Sequence, residues 1–172
     1  MNNPSPEAPS KTTLPAATSE DSPEQLLALA AHLGEHRFAP QAAAYDHEAT
    51  FPTENYKDLY DTGLLALTIP ARYGGLGASY KTYCEISAEI ARWCGATALT
   101  FNMHTSSMMW LRFMYEMPNL TDEERAAFGR MRTKQFPKVV NDGAIFSQPI
   151  SEGGANWTSD PIKTNCRKVD GG

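Results

Sequence analysis

The sequence predicts a mainly α fold: a helical domain over residues 22–142, followed by the first strands of an incomplete β domain over 143–172. Three observations predict it. Apolar residues recur at helical spacing through most of 22–142, behind Ser and Thr residues placed as helix caps. Period-two alternation is confined to the stretch after Asn141-Asp142-Gly143. Residues 1–21 carry Pro4, Pro6, Pro9 and Pro15 among small polar residues, with Leu14 the only large aliphatic after Met1, and so read as a disordered tail.

Ser22-Pro23-Glu24-Gln25 opens the first helix, with Ser as cap, Pro at the first helical position and Gln completing a capping box. Leu26, Leu29, Ala30 and Leu33 follow on one face. The helix is expected to reach about Arg37, where Pro40 kinks or ends it. Phe51-Pro52-Thr53-Glu54 opens a short second helix through Tyr56, Leu59 and Tyr60, and Gly63 stops it in a left-handed conformation. Leu64 to Pro70 is then an apolar, buried connection closed by Tyr73-Gly74-Gly75-Leu76-Gly77.

Ser79 caps a third helix that gathers Tyr83, Ile86, Ile90, Trp93 and Cys94 within an arc of roughly 100° and ends at Gly95. From Ala96 to Tyr115 the only formal charge is Arg112. Five of the seven methionines stand at 103, 108, 109, 114 and 117. Such a helix is expected to be surrounded by others. Thr121-Asp122-Glu123-Glu124 is a second capping box, opening a surface helix that Pro137 ends or breaks. After the turn at Asn141-Asp142-Gly143, Ala144-Ile145-Phe146-Ser147 reads as a short strand stopped by Pro149, and residues 162–169 as another. Two short strands leave unpaired edges, so the reading is of a larger protein that has been cut.

Composition narrows the function. The 172 residues are 41% hydrophobic and 20% charged, with 15 Lys and Arg against 20 Asp and Glu, for a net charge of −5. This length can bury roughly 70% of its unfolded surface. The negative balance argues against general affinity for nucleic acid, and no apolar run approaches a bilayer span of about 20 residues. Cys84, Cys94 and Cys166 form no metal-ligand spacing and no disulfide framework, and no Arg-rich or apolar leader opens the chain. A cytoplasmic location without metal is the expectation.

The ordered set Phe51-Pro52, Tyr56, Leu59, Gly63-Leu64-Leu65, Ile69-Pro70 and Tyr73-Gly74-Gly75-Leu76-Gly77 resembles the opening of the acyl-CoA dehydrogenases. Glu89-Ile90-Ala91-Arg92, Ala96-Thr97-Ala98-Leu99, Thr121-Asp122-Glu123-Glu124-Arg125, Pro137, Asn141-Asp142-Gly143 and Ser147-Gln148-Pro149 continue it in that family's order. The resemblance covers about residues 24–172. It implies an N-terminal helical domain of acyl-CoA dehydrogenase type, the start of the middle β domain, and a C-terminal four-helix bundle beyond. It further implies FAD as cofactor, an acyl-CoA substrate oxidised at its α,β bond, and a homo-oligomer when full length. The family's carboxylate base belongs to the C-terminal bundle or its surroundings, so no catalytic residue is assigned here.

On that resemblance Ser147-Gln148-Pro149 takes the place of the family's Thr-Glu-Pro. The Phe146 backbone and Ser147 hydroxyl are then the expected flavin contacts, because fixed donors stabilise the negative charge of a reduced flavin. Gly153 and Gly154 permit close approach to flavin or phosphate, or form a plain loop. The family's Gly-Ser-Asp is absent here. On the Ala96–Tyr115 helix, Thr100, His104, Ser107 and Leu111 make a stripe beside Met103. Met103, His104 and Ser107 are the expected acyl-pocket residues, with a core histidine bonded to a neighbouring helix as the alternative. His104 as a proton-transfer group would suit a flavin monooxygenase of the same fold. Arg130, Arg132, Lys134 and Lys138 read as a solvated face rather than a site for coenzyme A phosphates, and Glu152 as a loop side chain. Trp157 covers the flavin loop or packs under it. The rival from another class is a non-enzymatic helical interaction module.

Overall fold

In the computed structural model, residues 15–147 and residues 163, 165 and 167 are described. Six α-helices are present among them: α1 (Pro23–Leu33), α2 (Ala39–Glu48), α3 (Thr53–Asp61), α4 (Tyr80–Trp93), α5 (Gly95–Glu116) and α6 (Asp122–Asp142). The fold is the mainly helical one expected. None of the helices is long and apolar enough to cross a membrane.

The caps act as their residue types predict. Ser22 Oγ accepts from Gln25 N–H while Gln25 Oε1 accepts from Ser22 N–H, and Thr121 and Glu124 repeat the exchange at α6. Ser79 Oγ accepts from Thr82 N–H at the start of α4. Gly63 has the left-handed conformation, φ 80°. The tail expected over 1–21 lies partly outside the described residues, but Ala17 is not loose: its N–H donates to Thr62 C=O at 2.9 Å.

Several boundaries differ from expectation. The first helix does not stop at Arg37. A π turn over Gly34–Phe38 joins α1 to α2, closed by Ala39 N–H on Gly34 C=O. Pro40 has no N–H to offer the previous turn, and the wider loop absorbs that loss without ending the helix. Gly95 does not end α4; it is the first residue of α5, and one extended residue, Cys94 at φ −151°, makes the corner. Pro137 lies inside α6, which runs on to Asp142 and closes at Gly143, φ 65°, through Gly143 N–H on Val139 C=O and Ala144 N–H on Lys138 C=O. Asn141 and Asp142 are therefore the last helical residues rather than turn residues.

Leu26, Ala30 and Leu33 of α1 are buried and α1 packs on α4, whose Tyr83, Ile86 and Ile90 are buried in turn; α4 packs on α5. The Leu64–Ile69 connection runs through the core as expected, with Leu64, Leu65, Leu67 and Ile69 all buried. Its return is fixed by backbone bonds from Leu76 to Ala66, Gly77 to Ile69 and Ala78 to Leu67. Arg112 of α5 donates to the carbonyls of Thr68, Gly77 and Ala78, closing the same loop from outside.

The basic run on α6 is not uniformly solvated. Arg132 is fully buried, its guanidinium carbon 4.3 Å from the Tyr115 ring centroid, 5.5 Å from Tyr73 and 5.7 Å from Phe136. Its nitrogens make no hydrogen bond, and Glu116 Oε1 is 3.9 Å away. Burial lowers its pKa, and Arg72 nearby acts in the same direction. Three aromatic faces attract a cation, which a spacing argument on one helix does not reveal. A buried charge held only by a long ion pair and aromatic faces is nonetheless a weak source of stability. Arg132→Met is expected to leave the unfolding free energy, read by urea titration, unchanged or raise it by about 1 kcal/mol. Arg132→Ala, which also removes the packing, is expected to lower stability by about 2 kcal/mol.

Candidate functional site

The residues expected to meet cofactor and substrate lie on α5 and on the segment after α6. No strand ladder is formed at Ala144–Ser147 among the described residues, and most of the stretch expected to supply further strands lies outside them. The second expected strand, and with it Cys166, falls almost wholly outside the described residues, as do Gln148, Pro149, Glu152, Gly153, Gly154 and Trp157.

His104 ties the segment to the core. Phe146 N–H donates to His104 Nδ1 at 3.0 Å, and His104 Nε2 lies 3.0 Å from Leu65 C=O. Since an amide N–H only donates and a carbonyl only accepts, the ring carries its proton on Nε2. Three stretches of chain, at residues 65, 104 and 146, therefore meet at one buried imidazole. The Phe146 amide expected to face flavin is taken up by this bond. Phe146 itself is half-buried against the core, and Ser147 is exposed.

Burial, the larger effect, lowers the His104 pKa, and the bond to Leu65 raises it only in part. The native value therefore lies below the unfolded one, near 6.5. Stability from this site is full above that pH and is lost as pH falls toward the native pKa. The urea midpoint is expected to drop between pH 7.5 and 5, and to drop less in His104→Gln.

The Thr100, His104, Ser107 stripe faces inward rather than into a pocket. Thr100 Oγ1 donates to Ala96 C=O at 2.9 Å and Ser107 Oγ to Met103 C=O at 2.7 Å. These bonds satisfy the small polar groups within α5. Leu111 is buried below them. Nor is α5 surrounded on every side. Leu99, Trp110, Phe113 and Met117 are exposed, Leu99 and Trp110 by 66% and 57%, and no described element covers them.

With Met103 and Ser106 these residues form a 4-3-4-3-4 stripe, one position round the helix from the one expected. A depression of about 370 Å³ lies against it, lined by Tyr80, Tyr83, Ser106, Met109, Trp110 and Phe113. Met103 belongs to this outward stripe, whereas His104 and Ser107 do not. The heptad spacing of large apolar residues was the available signal for it.

Among the described residues, no three His, Cys, Asp or Glu side chains are grouped to hold a metal.

The family model and the curated relatives point to one family. The mitochondrial isovaleryl-CoA dehydrogenase of Oryza sativa subsp. japonica is 29% identical over 159 residues, 89% of this chain and 35% of that protein. Benzylmalonyl-CoA dehydrogenase of Aromatoleum aromaticum is 29% identical over 142 residues, covering 83% and 35%. The chain thus spans about a third of the length of these relatives. Among solved structures, KijD3 in complex with dTDP superposes with a TM-score of 0.59 at 26% identity, over 76% of this chain and 31% of the other. The family model for the acyl-CoA dehydrogenase N-terminal domain matches residues 20–116, the run from the first cap to the last turn of α5, and the chain belongs to the acyl-CoA dehydrogenase family.

Proposed function

We propose that this chain is the helical N-terminal part of a flavin-dependent oxidoreductase that acts on the α,β bond of an acyl-CoA, with FAD as the cofactor and a homo-oligomer as the working assembly. The observation that carries the reading is the family match over residues 20–116. The names of the relatives support an acyl-CoA substrate.

The fit of a flavin to the described residues is partial. Ser147 is exposed at the end of a segment whose position is set from the core, so its hydroxyl suits a donor to an electron-rich ring. The Phe146 amide does not suit that role, because His104 accepts from it. A flavin supplies a two-electron acceptor for hydride leaving the β-carbon. The described chain would contribute the rigid helical wall, the Ser147 donor and, through the apolar face of Met103, Trp110 and Phe113, exclusion of water. None of the described residues is assigned the part of the α-proton base.

Purification of the 172-residue chain with added FAD, followed by gel filtration, tests the reading. Flavin absorbance that travels with the protein near one equivalent is the expected result, weakened about fivefold in affinity by Ser147→Ala. Protein that elutes free of flavin, with no heat on titration with FAD or isovaleryl-CoA, would leave the helical interaction module in its place.

A further inference from the structure

We infer that His104 is a positioning residue: its ring joins the Leu65 carbonyl to the Phe146 amide and thereby sets where Ser147 stands. The inference deepens the flavin reading and depends on it only for what Ser147 meets; the clip itself concerns protein atoms alone.

Besides the packing of the Phe146 side chain against the core, the hydrogen bond to His104 is what ties the segment down. Beyond Gly143, whose N–H and that of Ala144 close α6, the described chain passes through an exposed Ile145 to Phe146. The Phe146 bond to His104 is made across 42 residues of sequence. The ring is itself fixed. It rises from the middle of α5, is fully buried, and is held on its far edge by Leu65, which lies in the buried 3-10 turn Leu64–Ala66.

A neutral imidazole offers an acceptor on one edge and a donor on the other, which is what a carbonyl on one side and an amide on the other require. A phenylalanine of similar size would fill the space, yet would leave the Leu65 carbonyl and the Phe146 N–H without this partner. Gln, with one acceptor and one donor on a single amide, is the variant that can replace the function without the ring.

The test uses the 172-residue chain labelled with nitrogen-15 at pH 7.5. Long-range imidazole correlations are expected to show His104 protonated at Nε2, and the Phe146 amide is expected to exchange with solvent more slowly than that of Ile145. In His104→Phe the Phe146 amide is expected to exchange about tenfold faster or more, with α4 and α6 amides unchanged, and His104→Gln to recover part of the protection. A ring protonated at Nδ1 overturns the inference, and so does equal Phe146 protection in wild type and His104→Phe. Where His104→Phe does not fold, the tautomer and the His104→Gln exchange rate decide.

FAD titrations separate the two claims. Wild type that binds FAD while a folded His104→Phe binds it equally overturns positioning and keeps the flavin reading. Wild type that binds no FAD while Phe146 is protected through His104 overturns the flavin reading and keeps the clip.

Discussion

Replacing Gly75 with alanine is expected to lower the unfolding free energy by about 3 kcal/mol or more. A Cβ at this position would stand 2.2 Å from Ile69 O, 2.5 Å from Ile69 Cβ and 2.7 Å from the Ile69 carbonyl carbon. The first and last of these are backbone atoms, so no rotamer change relieves the clash. The backbone itself has little room, because Ile69 C=O already accepts from Gly77 N–H at 2.8 Å and Ile69 is fully buried. Moving Gly75 outward must stretch that bond and its neighbour from Leu76 to Ala66, and pull the Gly77 and Ala78 carbonyls away from Arg112. Gly95→Ala is the control: a Cβ there meets nothing within 4 Å, and the same substitution is expected to be neutral or slightly stabilising. Urea unfolding of both variants checks the contrast, and equal effects would refute it.

Gly34→Ala is expected to change sign with its surroundings. A Cβ on Gly34 would fall 2.0 Å from Trp93 Cδ1 and 2.6 Å from Cγ, and the Trp93 ring is tethered by its Nε1–H to Glu89 Oε1 at 2.9 Å. Arg92 also lies over the ring, 5.5 Å from its centroid, and pairs with Glu89. Displacing the ring opposes the gain of about 1 kcal/mol that alanine brings to a helical position. Overpacking of this kind costs 1–3 kcal/mol, so the net is a loss of about 2 kcal/mol at most. In a Trp93→Ala background the obstacle is gone and the propensity gain alone remains, so Gly34→Ala should there stabilise by about 0.5–1 kcal/mol. A double-mutant cycle reads the coupling directly. Additive effects would mean that the π turn, rather than the indole, sets the demand for glycine.

The contrast between what sequence reveals and what it hides follows from the range of each interaction. Ser22 with Gln25, Ser79 with Thr82 and Thr121 with Glu124 are three-residue events, and their chemistry is legible in the order of residues. So is the left-handed Gly63. Pro40 and Pro137 mislead because a proline within a helix removes one bond, a loss that a π turn or tertiary packing can absorb. On α5 the sequence shows that the helix is apolar, but not which stripe is covered. Thr100 and Ser107 looked like pocket residues, yet they are satisfied by carbonyls one turn back.

Arg132 looked solvated because its aromatic partners Tyr73 and Tyr115 come from other elements. The bonds of His104 to Leu65 and Phe146 span 39 and 42 residues. Local periodicity carries no information at that separation.

The π turn at Gly34–Phe38 also sets the bearing of the chain that follows it. One wide turn holds one residue more than the regular spiral, so everything after it is rotated by about 100° relative to a straight continuation. Leu26, Ala30 and Leu33, before the turn, lie in the helix that packs on α4, while Tyr45, after it, turns its hydroxyl to Glu54 at 2.7 Å. A homologue one residue shorter between Leu33 and Ala39 would lose no loop. It would straighten the rod and swing the partner of Glu54 to a different compass bearing, a change of azimuth rather than a change of length.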